Sequence, residues 1–337
     1  MSLPFSVLDL IPLAGGSSSS QALRNSLELA RLTDRLGYYR YWFAEHHNMP
    51  TVASTTPEIM IALAAEETTR IRIGSGGVML PNHAPLKVAE SFKMLEALHP
   101  GRIDLGLGRA PGTDQATALA LRGSIEALRA DDFPERLAEL IAFGQGSLAV
   151  RNSSATVTAF PSDVPLPPLW LLGSSDFSAQ LAASLGMGYA FAAHFSDYPP
   201  EIPLRLYREH FSPGALPVPH AIITLSVICA EEDAEAERLA SSLLVAFTRL
   251  RTGQKSLLLP PEEAQAYDFT PQERAVMEAL RPLHIIGSPT TVKKRIEDLV
   301  ARTMADEVMI TTFTWGQAER LRSYELLADA FALSESF

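Results

Sequence analysis

The sequence predicts a closed (β/α)8 TIM barrel in which residues 1–337 form a single domain. Short apolar segments with strand character alternate with amphipathic helical segments across short turns, a pattern typical of parallel strands. Eight such strand segments can be counted, and eight strand–helix units close a barrel. Polar and small residues also collect where these strands end. An open, doubly wound parallel sheet is the alternative architecture.

The first half of the chain supplies four of the strands. Apolar residues at three-to-four spacing after the first strand predict a helix, and Gly37 stands where its C-terminal cap belongs. Pro57 fits the first turn of the second helix. Glycines inside the third strand indicate close approach by backbone or by a ligand. The predicted strands are 4–10, 41–47, 71–80 and 102–108, and the predicted helices are 22–37, 54–69 and 85–98.

The same alternation resumes in the second half after two irregular segments are set aside. Residues 144–168 are rich in Gly, Ser, Thr and Pro, and residues 251–284 carry a proline pair and one helix-like stretch. Insertions of this length are typically lids or binding loops. The remaining predicted strands are 167–173, 189–195, 221–230 and 306–314, and the remaining helices are 176–186, 232–250, 290–304 and 316–333.

Composition narrows the class of protein. The 337 residues carry a net charge of −11, which disfavours broad binding to nucleic acid or to an anionic membrane. Cys229 is the single cysteine, so an intrachain disulfide and a cysteine metal cluster are both excluded. The N-terminus is a poor signal peptide, and no long apolar run lacks charge or proline. These features predict a cytoplasmic protein that takes a small-molecule substrate.

The C-terminal ends of barrel strands carry the active site in this fold. The polar and small residues predicted there are Asp9, Glu45, His46, His47, Gly76, Gly77, Asn82, His83, Gly108, Arg109, Gly173, Ser174, Ser175, His194, Thr314 and Trp315. This set is larger than a fold requires, and it predicts a functional site at this rim.

The stretch YWFAEHH at 41–47 ends a buried strand in ionisable groups. Side chains alternate along a strand, so Glu45 and His47 are expected on one side and His46 on the other. Neighbouring histidines that point apart are poor joint metal ligands, and the chain has no HExxH motif, so a metal site is not predicted. A serine hydrolase is disfavoured as well, since no GxSxG elbow is present.

Two turns offer anion-binding chemistry. GSSDFS at 173–178 opens a helix directly after a strand, so its free amides, the helix dipole and the hydroxyls of Ser175 and Ser178 can hold a phosphate. Ordinary serine N-capping is the alternative. GLGRAPG at 106–112 resembles a dinucleotide fingerprint, but Pro111 breaks the required spacing. Arg109 is then either a rim cation or a partner in a surface salt bridge.

The ordered series of motifs resembles the bacterial luciferase-like flavin-dependent oxidoreductase family. The motifs are YWFAEHH, IRIGSGGVMLPNHAPLKVAE, GRIDLGLGRAPG, LLGSSDFSAQLAASLG, IIGSP and RLRSYELLA. The resemblance implies a barrel that binds reduced FMN at its C-terminal rim, with the isoalloxazine over Gly76 and Gly77, where the family often has a non-proline cis peptide. It implies that the turn beginning at Gly173 holds the phosphate through Ser174, Ser175 and Ser178, with Arg109 as counter-cation. It also implies that His46 is the catalytic histidine and that residues 251–284 form the active-site lid.

The resemblance further implies a monooxygenase that uses reduced FMN and O2, through a flavin hydroperoxide, to oxidise a small organic substrate. A dry cavity and a histidine that titrates near neutral pH suit that chemistry. Two other functions stay open: an oxidoreductase that transfers hydride with a 5-deazaflavin coenzyme, and a flavin-binding protein without catalysis. A separate flavin reductase is the expected source of reduced FMN. We expect a homodimer that contacts through helices beside the early strands, and no light emission.

Overall fold

A computed structural model describes residues 3–149 and 155–333 and shows a closed parallel barrel. In chain order the strands are β1 (Phe5–Asp9), β2 (Arg40–Phe43), β3 (Arg72–Met79), β4 (Ile103–Gly108), β5 (Ser147–Ala149), β6 (Thr156–Thr158), β7 (Leu169–Gly173), β8 (Gly188–Phe191), β9 (Ala221–Cys229), β10 (His284–Gly287) and β11 (Glu307–Thr311). Parallel pairs run from β11 through β1, β2, β3, β4 and β7 to β8. Pairing of β8 with β9, and of β9 with β11, closes the ring, so the barrel is confirmed and the open sheet is wrong.

Helices cover the outside of this ring. They are α1 (Ser19–Arg35), α2 (Pro57–Glu67), α3 (Pro85–Leu98), α4 (Gln115–Arg122), α5 (Ile125–Arg129), α6 (Phe133–Gln145), α7 (Asp176–Leu185), α8 (Glu201–Glu209), α9 (Asp233–Arg251), α10 (Pro261–Gln265), α11 (Pro271–Leu280), α12 (Pro289–Thr303) and α13 (Gln317–Ala330). Short 3₁₀ turns occupy Leu80–Asn82 and Arg281–Leu283. None of the helices in the described ranges is long and apolar enough to cross a membrane.

The structure differs from the prediction in several elements. The irregular segment 144–168 holds the end of α6 and an antiparallel pair of β5 with β6, while residues 150–154 lie outside the described part. A ninth parallel strand, β10, pairs with the second half of β9 where a turn was expected. Helices α4, α5, α6, α8 and α10 were not predicted. Strands 41–47, 189–195 and 306–314 were predicted too long, since β2 ends at Phe43, β8 at Phe191 and β11 at Thr311.

Side-chain alternation fills the barrel interior in layers. Along β2 and its extension, Arg40, Trp42 and Ala44 point inward, while Tyr41 and Phe43 belong to the core between strands and helices. The N-terminal half of the interior is solid: Trp42 packs edge-on against Trp170, with ring centroids 5.5 Å apart. The space that remains lies toward the C-terminal ends of the strands.

Candidate active site

A cavity of about 510 Å³ opens at the C-terminal ends of the strands. That volume lies within the range usual for small-molecule sites. All eight residues proposed from sequence as catalytic or cofactor-binding line it, namely His46, Gly76, Gly77, Arg109, Gly173, Ser174, Ser175 and Ser178. They come from four different strand ends, so barrel closure brings them together. The structure gives their positions, and their roles remain predictions.

His46 stands one alternation step beyond Ala44, and both residues line the cavity. Its Nδ1 is buried without a hydrogen-bond partner. Burial lowers the pKa of the His46 imidazole to about 4. The expectation that this histidine titrates near neutral pH is therefore wrong for the protein by itself. Burial favours the uncharged ring, so at pH 7 His46 is a neutral imidazole with one donor and one acceptor nitrogen.

Glu45 faces away from His46, as the alternation predicts, and braces the strand ends. Its side chain is 1% exposed. Oε1 contacts Nε2 of His47 and Nε2 of His83, each at 2.8 Å, and Oε2 accepts the Met79 amide at 2.8 Å. One carboxylate thus joins the end of β2 to the segment after β3, and this fixes the backbone on which His46 stands.

The peptide between Gly76 and Gly77 is cis, as the resemblance implied. A Cβ on Gly76 would lie 2.6 Å from Cδ1 of Leu8, and a Cβ on Gly77 would lie 2.7 Å from the carbonyl oxygen of Gly106. Neither position has room for a side chain. The two glycines therefore present bare backbone to the cavity wall, a surface that a flat ring system can approach closely.

The start of α7 and Arg109 form a second wall. Ser175 is the N-cap of α7, but its side chain makes no capping hydrogen bond, so the first-turn amides are not capped by it. Arg109 is exposed, and its guanidinium lies 4.1 Å from the centroid of the Phe177 ring in that first turn. Arg109 makes no ion pair among the described residues. A cation and a helix N-terminus thus meet at one place, and this donor set fits a phosphate.

Sequence reasoning left several cavity residues without a role. Leu8, Met309 and Thr224 line the cavity from β1, β11 and β9, and Lys255 reaches it from the segment after α9. His194 was placed at the rim but was assigned no function, and it lines the cavity as well. Every second side chain of a barrel strand points inward, and this alternation along β1, β9 and β11 could have identified Leu8, Thr224 and Met309 from the sequence.

The segment interpreted as a lid contacts the chain after β1, at the same C-terminal rim of the barrel. Leu258 is fully buried, and its backbone pairs with the chain after β1: its amide donates to the Leu13 carbonyl at 3.2 Å, and its carbonyl accepts the Gly15 amide at 2.8 Å. Nζ of Lys255 lies 3.2 Å from the carbonyl oxygen of Asn48. These contacts hold residues 255–258 over one side of the cavity.

A parallel barrel with a cavity at its C-terminal rim, lined by a half-buried histidine and by a helix start beside a cation, defines a barrel protein with a small-molecule site. The chain belongs to the luciferase-like monooxygenase family, whose sequence profile matches residues 3–307. Membership makes it an oxidoreductase of that family.

Individual relatives agree over nearly the whole chain. A luciferase-like monooxygenase of Escherichia coli K12 is 42% identical over 328 residues, which cover 97% of this chain and 96% of the relative. The N-acetyl-S-alkylcysteine monooxygenase of Bacillus subtilis is 32% identical over 328 residues, which cover 96% of this chain and 97% of the relative. The apo structure of MsnO8 superposes with a TM-score of 0.90 at 40% identity, over 99% of this chain and 98% of that one.

More distant structures share the fold alone. The oxygenating constituent of 3,6-diketocamphane monooxygenase from Pseudomonas putida, solved with FMN, has a TM-score of 0.73 at 18% identity and covers 98% of each chain. An F420-dependent secondary alcohol dehydrogenase, solved with an F420–acetone adduct, has a TM-score of 0.73 at 13% identity and covers 98% of this chain and 99% of that one. Among solved proteins of this fold, one therefore carries FMN and another an F420 adduct.

Proposed function

We propose that this protein is an FMN-dependent monooxygenase that uses O2 to oxidise a small organic substrate. One observation carries the proposal: a single cavity joins the neutral imidazole of His46, the bare backbone at Gly76 and Gly77, and the anion site of Arg109 and α7. Relatives at 42% and 32% identity are named monooxygenases, which supports oxygen transfer over hydride transfer.

The phosphate of FMN would lie at the start of α7. Ser174, Ser175 and Ser178 offer hydroxyls there, and the helix dipole favours a dianion. Arg109 is already stacked on Phe177, so its charge is near the phosphate position before binding. The reduced flavin supplies the electrons and the reaction with oxygen. The protein has to bind it, orient it and control water and protons around it.

His46 would hold or accept a proton beside the reacting atoms. A neutral imidazole can take a proton, whereas an imidazolium cannot, and burial keeps the ring neutral above about pH 4. The walls near His46 are largely apolar, with Leu8, Ala44 and Met309 buried around the cavity. Such walls keep water away from a reactive site. The lid role of 251–284 belongs to the same proposal.

A cofactor titration tests the proposal against its two alternatives. Reduced FMN and reduced deazaflavin are titrated anaerobically into the purified protein, and O2 consumption is then followed with and without a substrate panel, a flavin reductase serving to regenerate reduced FMN. We expect FMN to bind more tightly and O2 consumption to rise with substrate. Preference for deazaflavin supports the hydride-transfer enzyme. Tight FMN binding with no substrate-dependent O2 consumption supports a flavin-binding protein without catalysis.

The substitution His46→Ala tests the proposed role of this residue. We expect turnover to fall by about 100-fold or more, the range that a lost general acid–base group produces, with FMN affinity unchanged. Substrate-dependent O2 consumption and a fluorescence titration of FMN measure the two quantities. His210→Ala, which removes an exposed histidine from the end of α8, is the control. Unchanged turnover in His46→Ala would contradict the assignment.

A further inference from the structure

Three polar side chains stand next to one another on the inner face of the barrel, beside the cavity. His284 on β10, Ser226 on β9 and Thr311 on β11 are cross-strand neighbours, because Ser226 pairs in register with both of the others. Thr224 and Met309, two residues earlier on β9 and β11, line the cavity, so Ser226 and Thr311 point to the same inner side. Paired residues of parallel strands share a face, which places His284 there as well.

The polar side-chain atoms of this trio are buried and have no hydrogen-bond partner in the described part of the chain. They are both ring nitrogens of His284, Oγ of Ser226 and Oγ1 of Thr311, and each of the three residues is 3% exposed or less. A buried polar atom without a partner costs free energy, and here four such atoms lie together. In native proteins such groups are usually satisfied by an ordered water or a ligand.

The shape of the trio leaves room for a small bridging molecule. Neighbouring strands are about 4.8 Å apart, and the short side chain of Ser226 stands between the larger side chains of His284 and Thr311. A molecule above Ser226 therefore has the imidazole on one side and the threonine hydroxyl on the other. The Phe247 ring of α9 packs edge-on against both His284 and Phe313, which lies two residues beyond Thr311. Apolar rings thus close the trio off toward the mouth.

The chemistry of the trio selects an uncharged ligand. Burial lowers the pKa of the His284 imidazole to about 4, so the ring is neutral at pH 7, and the two hydroxyls carry no charge. An ion held against three neutral side chains would lose its hydration without gaining a counter-charge. A water molecule fits, because hydroxyls and a neutral imidazole both donate and accept, and a buried water typically makes about three hydrogen bonds.

We propose that Ser226, Thr311 and His284 bind one internal water molecule that bridges β9, β11 and β10. The strand β10 ends the 251–284 insertion, and it pairs with β9 over four residues. A water that also reaches Thr311 links β10 to β11, so the site anchors the end of the insertion to the barrel wall. The site is independent of cofactor and reaction, and its test does not depend on the proposed function.

A crystal structure of the wild-type protein, at a resolution that shows ordered water, tests the site directly. We expect a water within hydrogen-bond distance, about 2.7–3.2 Å, of Ser226 Oγ, Thr311 Oγ1 and one ring nitrogen of His284. An empty site in a map that shows other internal waters would overturn the proposal. An ion at that place would overturn it as well.

A mutant cycle measures whether the two hydroxyls share the water. Ser226→Ala is made in the wild type, in Thr311→Val, which keeps the shape and lacks the hydroxyl, and in the control Thr311→Ser, which keeps the hydroxyl. Urea unfolding followed by circular dichroism gives the equilibrium constant for unfolding of each protein.

We expect Ser226→Ala to raise the unfolding constant about tenfold in the wild type and in Thr311→Ser, because it leaves buried groups unpaired. In Thr311→Val the same change should have an effect of about twofold or less, because a water with one partner already removed is no longer held. Equal effects in all three backgrounds would overturn the shared water, and so would a Ser226→Ala variant as stable as the wild type. If a variant does not fold, the wild-type crystal structure decides.

Discussion

Three consecutive residues shortly after β2 divide two tasks between the two sides of the chain. Glu45 and His47 lie on the side that joins neighbouring strand ends, whereas His46 lies in the cavity. The local environment then favours the charged form of Glu45 and the uncharged form of His46. Buried Glu45 keeps its charge because His83, His47 and the Met79 amide donate to it, while buried His46 has no such partner and is neutral. The two sides of the chain therefore provide different environments, and these set the charge of each side chain.

The contact of Glu45 with His83 predicts a pH-dependent stability. Burial raises the pKa of Glu45, but contacts with His83 and His47 and the Met79 amide outweigh this and leave it below the usual 4.5. The hydrogen bond to Glu45 raises the pKa of His83 above 6.5. The carboxylate therefore contributes stability above pH 4.5, and the histidine contributes below pH 6.5 and loses its contribution as pH rises through its folded pKa.

The measurement is the melting temperature of wild type and of His83→Gln between pH 5 and pH 8. We expect the difference between them to be largest from pH 5 to about 6.5 and to shrink above that range. His210→Gln, which changes an exposed histidine, should show no such trend. A difference that grows with pH would contradict this account of the Glu45 contact.

Four strands meet in a buried ionic network at the N-terminal end of the barrel. Arg40 of β2 bonds Asp104 of β4 at 2.7 Å and Glu307 of β11 at 3.0 Å, and Arg72 of β3 reaches the same aspartate at 2.6 Å. His220, just before β9, contacts Glu307 at 3.0 Å. Every charge in this network is paired, so it closes the barrel floor as a rigid base beneath the cavity.

Removal of Arg40 should destabilise the fold strongly. Arg40→Met leaves two fully buried carboxylates short of a partner, which typically costs about 3–5 kcal/mol. Arg31→Met is the matched control, because the ion pair of Arg31 with Glu67 is 44% and 35% exposed and should contribute less than about 1 kcal/mol. Urea unfolding followed by circular dichroism measures both free energies. Equal losses in the two variants would contradict a special role for the network.

The segment after α9 contacts the barrel through the side chain and the backbone of Leu258, among other contacts. Leu258 is fully buried, whereas its neighbour Leu257 is 36% exposed. Leu258→Ala should release residues 252–260 from the rim, which hydrogen exchange would detect as faster exchange at the Gly15 and Leu258 amides. Leu257→Ala should leave both amides protected. If the two substitutions give the same exchange rates, other contacts hold the segment at the rim and Leu258 does not anchor the proposed lid.

At the scale of the whole molecule, the outer face of α2 and α3 is apolar. Ile59 and Leu63 on α2 are 61% and 46% exposed, and Met94 and Leu98 on α3 are 56% and 68% exposed. Each pair lies one helical turn apart, and the two helices contact each other, with α2 against β2 and β3 and α3 against β4. We propose that a second copy of the chain covers this face. Contiguous exposed apolar surface of this kind marks an interface in many proteins.

Charge introduced on this face should break the dimer. The double variant Leu63→Glu, Leu98→Glu should sediment as a 36.6 kDa monomer, while the wild type sediments at twice that mass. Val218→Glu changes another exposed apolar residue, 65% exposed, in the loop before β9 and should not alter the mass. Sedimentation velocity distinguishes the species. A monomeric wild type, or a double variant that stays dimeric, would contradict the proposed interface.

Periodicity and motif order were sufficient to predict the barrel, the family and the rim on which the site residues lie. These signals are local: alternation places His46 opposite Glu45, and a serine turn after a strand predicts the helix start of α7. The missed helices α4 and α5 are short and bury little, Ala118 alone in α4 and nothing in α5, so they lack the apolar stripe by which a helix is recognised.

What the sequence determined by itself is the order of elements and the side of each strand that every residue occupies. Only the tertiary structure decided which distant residues meet. The closing pair β8–β9 places His194 opposite His46, and the salt bridge from Asp9 to Arg320 at 2.6 Å joins positions at opposite ends of the chain. The tertiary structure also makes His46 and His194 neutral. The pKa of each ring depends on its burial and on nearby groups, and closure of the barrel brings both about.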